Sequence, residues 1–332
     1  MKKRLLTVAL IFVFAICIVS LTACSAAEQY FVFGTSLDIS AKGTGSSKYI
    51  KSVVSWLEDA EQYVSAIMED SDIWRLNRAA VGETVVCNPV TIEILQSAHR
   101  VYELTDGAYD PTVYPLVELW GFSPDKFVGN VAPDRLPTDA EISEMLGLVG
   151  FDEAFAIDAE NNSVTKLKEG AKLDLGGVAK GYAVQKALYM AGKTEALVNL
   201  GGNIGAANAS YTIGIGAPRE YDKSYIGTVE LSAGQCISTS GDYEKYYFVD
   251  GVRYHHIINP ATGRPADSGL VSVTVTTPDG ALGDALATAI MVAGAEKGTL
   301  WANELGVGCI MVSVDADGNM QVSAVNVDYK SA

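Results

Sequence analysis

A glycine-rich turn in LDLGGVAKGYAV, residues 173–184, has the composition of an anion-binding loop. Its glycines fall at 176, 177 and 181, which excludes the G-x-G-x-x-G pattern, and no hydroxyl follows Lys180 as a P-loop requires. A glycine turn at a helix N-terminus still lets backbone amides approach a phosphate. Lys180 in the first helical turn opposes the helix dipole unless an anion lies beside it. A plain strand-to-helix turn with a surface lysine is the competing interpretation.

A second segment, GDALATA at 283–289, places two oxygen-bearing side chains on one helix face. Asp284 and Thr288 are four residues apart, so their side chains lie one turn above the other. The remaining residues are small and apolar, and a carboxylate in such surroundings is costly unless it is paired or bound to a metal. Oxygen-only ligands suit Mg²⁺, which shares its shell with substrate phosphates. Alternatively, Asp284 only stabilises the first helical turn.

Two of the three histidines, His255 and His256, are adjacent near the end of a predicted hairpin strand. Adjacent strand residues face opposite sides, so we expect one imidazole to face the interior and the other the solvent. Proton transfer is one role for such a residue, and a structural histidine is the alternative.

The segment DGAYDPTVYPLVELWGF, residues 106–122, concentrates aromatic side chains between two predicted helices. Tyr109, Tyr114 and Trp120 supply either a surface on which a ring ligand stacks or the packing of an interhelical turn.

Periodicity predicts the elements that position these residues. Apolar spacings of three and four indicate helices at 47–68, 89–105, 138–147, 279–292 and 296–305. We predict an exposed loop at 122–137 and a short turn holding Arg75 and Asn77. Alternation predicts strands at 30–40, 151–158, 195–200, 211–215, 227–231, 243–249, 252–258, 270–276, 307–314 and 320–325, with a strand-like entry at 173–175. Helices early and antiparallel strands late indicate an α+β fold of antiparallel sheets flanked by helices.

Composition limits the partners. The 332 residues carry a formal net charge of −16, so an acidic surface makes nucleic acid an improbable partner. The length suffices for one large domain or two ordinary ones. Cys87, Cys236 and Cys309 are widely spaced in apolar surroundings, which predicts buried structural thiols rather than a disulfide framework.

The N-terminus predicts export. Lys2, Lys3 and Arg4 precede an apolar stretch from Leu5 to Val19, followed by Leu21-Thr22-Ala23-Cys24. This segment resembles a bacterial lipobox, which implies a signal peptide at 1–23, cleavage before Cys24 and lipid on its thiol. An ordinary signal peptide and an uncleaved anchor are the alternatives.

Together the motifs resemble the ApbE family, the FAD:protein FMN transferases. The matching pieces cover roughly residues 30–325 and stand in one order: Gly34-Thr35, the turn at Asp70-Ser71 before Arg75-Leu76-Asn77, DGAYDPTVYPLVELWGF, LDLGGVAKGYAV, LVNLGGN, TSGDYE, HHIINPATGRP and GDALATA. The resemblance implies one ApbE-like, T-fold-related domain over 24–332, with room for two subdomains around an FAD cleft.

The resemblance also implies site residues. Asp284, Thr288 and the backbone carbonyl of Gly177 correspond to ligands of Mg²⁺. Contacts to FAD are expected from Ala108, Tyr109, Asp110, Asp174, Lys180 and His256. His256 and Asp284 compete for the role of general base, and sequence alone does not decide between them.

The reaction implied by the resemblance is Mg²⁺-dependent transfer of the FMN moiety of FAD to a threonine or serine hydroxyl of a target protein, with release of AMP. Expected acceptors are flavoprotein subunits of membrane electron-transport complexes, reached from a lipid-anchored position outside the cytoplasm. Two alternatives are an Mg²⁺-dependent FAD pyrophosphatase and a flavin-binding lipoprotein without turnover.

Overall fold

A computed structural model describes residues 25–219, 224–315 and 318–332 of the chain. The predicted signal peptide and Cys24 lie outside these residues. Within the described ranges, no helix combines the length and the hydropathy needed to cross a bilayer.

An eight-stranded antiparallel sheet forms the centre of the fold, in the order β1-β2-β6-β7-β10-β13-β14-β15. Three smaller antiparallel sheets pair β3-β5-β4, β16-β9-β8 and β11-β12. The strands are β1 Ser25–Val32, β2 Thr35–Lys42, β3 Thr84–Val86, β4 Phe155–Asp158, β5 Ser163–Lys166, β6 Glu195–Leu200, β7 Asn203–Ala207, β8 Tyr211–Gly216, β9 Tyr225–Leu231, β10 Cys236–Gly241, β11 Tyr246–Val249, β12 Val252–His255, β13 Leu270–Thr277, β14 Gly308–Val314, β15 Met320–Val325 and β16 Tyr329–Ser331.

The helices cover one face of the sheet and its ends. They are α1 Ser46–Val64, α2 Asp72–Arg78, α3 Pro89–Leu104, α4 Tyr114–Leu119, α5 Asp139–Leu146, α6 Phe151–Ala154, α7 Ala179–Met190, α8 Gly280–Ala293 and α9 Ala295–Leu305, with a 3₁₀ turn at Pro111–Val113 before α4. This mixture of helices and antiparallel sheets confirms the predicted α+β class. A capping box formed by Thr138 and Glu141 starts α5, and the Asn88 side chain caps α3.

Four local predictions were wrong. Residues 30–40 form a hairpin rather than one strand, because Phe33 and Gly34 adopt positive φ and turn the chain between β1 and β2. The turn predicted to hold Arg75 and Asn77 is helix α2, capped by the Ser71 hydroxyl. The predicted strand at 151–158 begins as the short helix α6. Residues 173–175 are extended but belong to no described sheet.

Helix α8 lies at the centre of the largest hydrophobic cluster. It packs against β10, β13, α3, α7 and α9, and nearly all its side chains are buried, which suits a helix that is apolar on every side. The Asp279 side chain accepts from the Leu282 amide at 3.1 Å and so starts the helix. This position packs the buried helix α8 directly against α7, which follows the glycine turn.

A separate cluster of stacked rings supports the β11–β12 hairpin; we call Trp120, Phe122, Tyr247 and Tyr254 the four-ring cluster. Ring centroids lie 5.0 Å apart for Phe122 and Tyr247 and 5.6 Å apart for Trp120 and Tyr254. Trp120 donates to the Gly263 carbonyl at 2.8 Å and Tyr247 to the Trp120 carbonyl at 3.1 Å. These contacts fix the hairpin from which the chain continues to His256.

Candidate functional site

A cavity of about 410 Å³ opens where the glycine turn, α8 and the base of the β11–β12 hairpin meet. The residues that the family resemblance assigns to the site within the described chain all contribute to its lining: Ala108, Tyr109, Asp110, Asp174, Gly177, Lys180, His256, Asp284 and Thr288. The size and the mixture of apolar walls with a few polar groups are typical of a small-molecule site.

The glycine turn joins the extended segment 171–175 to α7. The Asp174 amide donates to the Pro111 carbonyl at 2.9 Å, and the Gly176 amide lies 3.3 Å from Asp174 Oδ1. Lys180 is in the first turn of α7, as predicted, and its ammonium group donates to the Gly176 carbonyl. The turn therefore presents a carboxylate, backbone amides and an ammonium group to the same space.

Helices α7 and α8 cross with their backbones in contact. A Cβ at position 181 would lie 2.0 Å from the Gly280 carbonyl oxygen, and one at position 280 would lie 2.2 Å from the Gly181 carbonyl oxygen. Only glycine fits at both positions. This contact joins two segments that are about a hundred residues apart in the chain.

At this crossing, Asp284 of α8 caps the neighbouring helix α7. Its Oδ2 accepts from the Gly181 amide at 2.9 Å, in the third position of α7, while the cap residue Val178 supplies no side-chain bond. An aspartate normally does this for its own helix. Asp284 is buried and lines the cavity.

Thr288 and Gly177 lie together beside Asp284. The Thr288 hydroxyl is 3.1 Å from Ser240 Oγ and 3.4 Å from the Asp284 carbonyl. A Cβ at Gly177 would lie 3.6 Å from Thr288 Oγ1 and 3.2 Å from the Tyr109 ring. The absence of a side chain at 177 thus keeps a small space open between the turn and α8.

The donor chemistry at this place fits Mg²⁺. Asp284, Thr288 and the Gly177 carbonyl are oxygen donors only, as a hard cation requires. The set contains one carboxylate, which agrees with the finding that, across the described residues, no group of three or more His, Cys, Asp or Glu side chains could hold a metal. Five carboxyl groups but only two lysines line the cavity, so an anionic ligand needs added positive charge.

Tyr109 lines the cavity with its side chain otherwise enclosed by the protein. Its side chain is buried, and its hydroxyl has no hydrogen-bond partner among the described residues. Burial raises the pKa of Tyr109, and Asp284, Asp174 and Asp110 raise it further. A buried, protonated and unpartnered hydroxyl is a donor available to a ligand oxygen. Trp120, by contrast, lies outside the lining, in the four-ring cluster.

Asp110 has a local structural partner as well as a place in the lining. Its Oδ1 accepts from the Thr112 amide at 2.8 Å and from the Thr112 hydroxyl, which starts the 3₁₀ turn. Burial raises the pKa of Asp110, and the Thr112 bonds oppose that rise. Burial likewise raises the pKa of Asp174.

The two histidines face different surroundings, as strand alternation predicts, but the second imidazole faces the cavity rather than the solvent. His255 is buried, and its Nε2 donates to the Ala266 carbonyl at 2.9 Å. His256 lines the cavity, and its Nδ1 lies 3.3 Å from the Lys245 carbonyl. A carbonyl only accepts, so Nδ1 carries the proton and Nε2 keeps its lone pair. Burial, followed by Lys245 and His255, lowers the pKa of His256 to about 3, so the ring is neutral near pH 7.

Sequence reasoning gave no role to several polar residues of the lining, among them Ser240, Glu244 and Lys245. Ser240 and Glu244 belong to the segment TSGDYE, whose resemblance to the family was noted without assigning roles, and Lys245 directly follows it. A charged pair in a hairpin usually indicates a solvated face, so composition gave no reason to place Lys245 in the cavity. The buried cysteines were predicted correctly, since Cys87, Cys236 and Cys309 are free and buried.

Comparison with known proteins gives one consistent result. The sequence model of the ApbE family matches residues 33–311. The FAD:protein FMN transferase of Vibrio cholerae serotype O1 is 32% identical over 308 residues, 88% of this chain and 90% of that protein. The enzyme of that name from Escherichia coli K12 is 30% identical over 281 residues, 82% of this chain and 78% of its own.

Solved structures agree with the sequence comparison. The crystal structure of the ApbE protein from Thermotoga maritima matches with a TM-score of 0.79 at 33% identity, covering 90% of this chain and 97% of that one. The flavin transferase ApbE from Vibrio cholerae matches with a TM-score of 0.80 at 30% identity, covering 91% and 97%. With the glycine turn, the α7–α8 crossing and the cavity in place, the chain belongs to the ApbE family.

Proposed function

We propose that this chain is an FAD:protein FMN transferase, which moves the FMN moiety of FAD to a threonine or serine hydroxyl of a target protein and releases AMP. Relatives that match most of its length carry this name. The observation that carries the proposal is the convergence of the glycine turn, Asp284 and Thr288 beside a neutral His256 in one cavity. Phosphoryl transfer needs these components: charge neutralisation, positioning and a proton acceptor.

Asp284, Thr288 and the Gly177 carbonyl are the residues that would hold Mg²⁺. When bound there, Mg²⁺ supplies positive charge to the FAD diphosphate in an otherwise acidic cavity. Lys180 and the amides at the start of α7 add to that charge, since the N-terminus of a helix favours an anion. Lys245, which has no ion-pair partner among the described residues, is a second cation in the lining.

Proton transfer is assigned to His256. Its Nε2 is an acceptor, because Nδ1 is held in the protonated form by the Lys245 carbonyl. Asp284 is the weaker candidate for a base, because Oδ2 is already bonded to the Gly181 amide. His256 therefore accepts the proton of the attacking hydroxyl.

The transfer is a substitution at phosphorus. The acceptor hydroxyl oxygen forms a bond to the phosphorus of the FMN half of FAD. The bond from that phosphorus to the bridging oxygen breaks, and AMP leaves with that oxygen. To the buried hydroxyl of Tyr109, which has no partner among the described residues, we assign a hydrogen bond to a phosphate oxygen, which favours the charge that develops there.

A transfer assay tests the proposal. The mature protein is incubated with FAD and a candidate acceptor, with Mg²⁺ or with a chelator, and AMP release is measured beside flavin fluorescence on a denaturing gel. The proposal expects fluorescence on the acceptor band only with Mg²⁺. AMP released at the same rate without acceptor identifies an FAD pyrophosphatase instead, and FAD binding without AMP identifies a binding protein.

We further propose that the protein is anchored by lipid on Cys24 and acts outside the cytoplasm on flavoprotein subunits of membrane electron-transport complexes. The support is the N-terminal sequence, with its basic, apolar and Leu-Thr-Ala-Cys segments. Labelling cells with a radioactive fatty acid should label the wild-type chain and not Cys24→Ala. Equal labelling of both chains would contradict the anchor.

A further inference from the structure

The segment that leads into the glycine turn is held by a side chain rather than by a sheet. Residues 171–175 are extended, yet they belong to no described strand. The Leu173 amide donates to Asn77 Oδ1 at 2.7 Å, and Asn77 Nδ2 donates to the Leu173 carbonyl at 2.9 Å. One carboxamide thus satisfies both backbone groups of a buried residue, as a neighbouring strand would.

Asn77 is itself fixed within the fold. It lies in the last turn of α2, is 7% exposed, and its carbonyl accepts from the Lys166 ammonium at 3.1 Å. At the other end of α2, Asp72 accepts from the Asn88 amide at 2.7 Å and from the Thr91 hydroxyl at 2.6 Å. With both ends of α2 anchored, the carboxamide of Asn77 has little freedom to follow a moving loop.

The position of Leu173 decides where the next residues lie. Asp174 comes directly after Leu173, and its amide donates to the Pro111 carbonyl at 2.9 Å. Gly177 is three positions beyond Asp174. Leu175 and Val178 are both buried, and they connect the segment to the start of α7. Between residue 173 and the helix there are too few residues to absorb a displacement at Leu173, so a shift there moves Asp174 and Gly177.

We propose that Asn77 is a positioning residue for the phosphate and metal site, and that it acts by fixing Leu173 so that Asp174 and Gly177 present their oxygens to the cavity. The inference rests on the proposed function, because it assigns the glycine turn to the FAD diphosphate and Mg²⁺. It adds a residue that does not line the FAD cavity. Groups that orient the residues directly contacting a metal or ligand contribute roughly 10- to 100-fold to affinity or activity.

The test compares Asn77→Ala with Tyr329→Phe, which also removes a side-chain hydrogen bond to a backbone carbonyl but lies away from α2 and from the cavity. For each variant we measure the melting temperature, the Kd for FAD from quenching of flavin fluorescence at several Mg²⁺ concentrations, and kcat and KM for AMP release. Both variants should melt earlier. Only Asn77→Ala should weaken Mg²⁺-dependent FAD binding, by roughly 10- to 100-fold.

A third variant, Asn77→Asp, keeps an acceptor for the Leu173 amide and removes the donor to the Leu173 carbonyl. It should bind FAD with an affinity between those of the wild type and Asn77→Ala, and it replaces Asn77→Ala if that variant does not fold. Equal FAD affinity in Asn77→Ala, Asn77→Asp and Tyr329→Phe would overturn the inference. If the wild type itself shows no Mg²⁺-dependent FAD binding, the proposed function fails instead.

Discussion

Two walls of the cavity are held in place by different kinds of contact. At the α7–α8 crossing, backbone meets backbone at Gly181 and Gly280, and a buried carboxylate caps the neighbouring helix. At the hairpin that leads to His256, four aromatic rings stack on one another, with centroids 5.0–5.8 Å apart. The first wall carries the predicted metal ligands and Lys180, and the second carries Lys245 and the imidazole.

The two kinds of contact tolerate substitution to different extents. A backbone contact has no side chain that can adopt another rotamer, so an added methyl group must move a helix. Stacked rings bury a large area, and a substitution that conserves the ring loses only what its polar atom contributed. We therefore expect the residues of the crossing to affect stability and activity together, and those of the four-ring cluster to affect mainly stability.

The largest effect is expected from Gly181→Ala. The new Cβ would lie 2.0 Å from the Gly280 carbonyl oxygen and 2.7 Å from Asp284 Cβ, so the helices must separate. In urea, the free energy of unfolding should fall by about 3 kcal/mol or more. FAD binding should be lost as well. Gly216→Ala is the matched control, because a Cβ there meets nothing within 4 Å and it should change stability little. A Gly181→Ala protein as stable as this control would contradict the crossing.

The second prediction separates the two roles of Asp284. In Asp284→Asn the amide oxygen still accepts from the Gly181 amide, whereas Asp284→Ala removes that cap as well as the charge. We expect Asp284→Asn to unfold near the denaturant concentration that unfolds the wild type. Asp284→Ala should lose about 1 kcal/mol of its free energy of unfolding. Both should lose at least about 100-fold in turnover, since each lacks the anionic ligand. Full turnover in Asp284→Asn would show that the carboxylate serves only as a cap.

Sequence patterns predicted the two crossing helices, but they did not predict the contact between them. The small residues of α8 and its Asp279 start are local signals, as is the position of Lys180 in the first turn of α7. Gly181 and Gly280 are about a hundred residues apart, however, and a glycine inside a helix looks like a weak point until its partner is known. The family resemblance, rather than periodicity, brought the glycine turn and Asp284 together.

The remaining errors came from tertiary contacts that override local preference. The strand-like 173–175 pattern has an apolar alternation but is paired with a side chain, Asn77, instead of a strand. The hairpin at Phe33 was hidden because a phenylalanine with positive φ is uncommon. Lys245 was missed because the hairpin fold turns it inward, which no spacing in the sequence indicates.

The third prediction concerns the pH dependence of stability at His256. Its pKa is about 3 in the folded protein, whereas an imidazole in an unfolded chain titrates near 6.5. As the pH falls below 6.5, the unfolded chain binds a proton that the folded protein does not bind, so folding loses up to about 1.4 kcal/mol per pH unit. In His256→Asn this contribution is absent.

The measurement is urea unfolding of the wild type and His256→Asn at pH 7 and pH 5. The wild type should lose about 1–2 kcal/mol more than the variant between these values. His255, whose pKa burial also lowers, and Asp110 and Asp174, whose pKa values burial raises, are present in both proteins and cancel in the difference. Parallel losses in the two proteins would mean that His256 is protonated in the folded state at pH 5.

The smallest effect is expected in the four-ring cluster. Tyr247→Phe keeps the ring, which stacks on Phe122 and Tyr254, and removes only the hydroxyl that donates to the Trp120 carbonyl at 3.1 Å. Thermal unfolding should show that the free energy of unfolding falls by about 1 kcal/mol, because the buried Trp120 carbonyl loses this donor. FAD binding and turnover should stay within about twofold of the wild type, since the stacked rings still fix the hairpin. A loss of FAD binding as large as that of Gly181→Ala would mean that both walls depend on single contacts, and that stacking gives the hairpin no more tolerance than the helix crossing has.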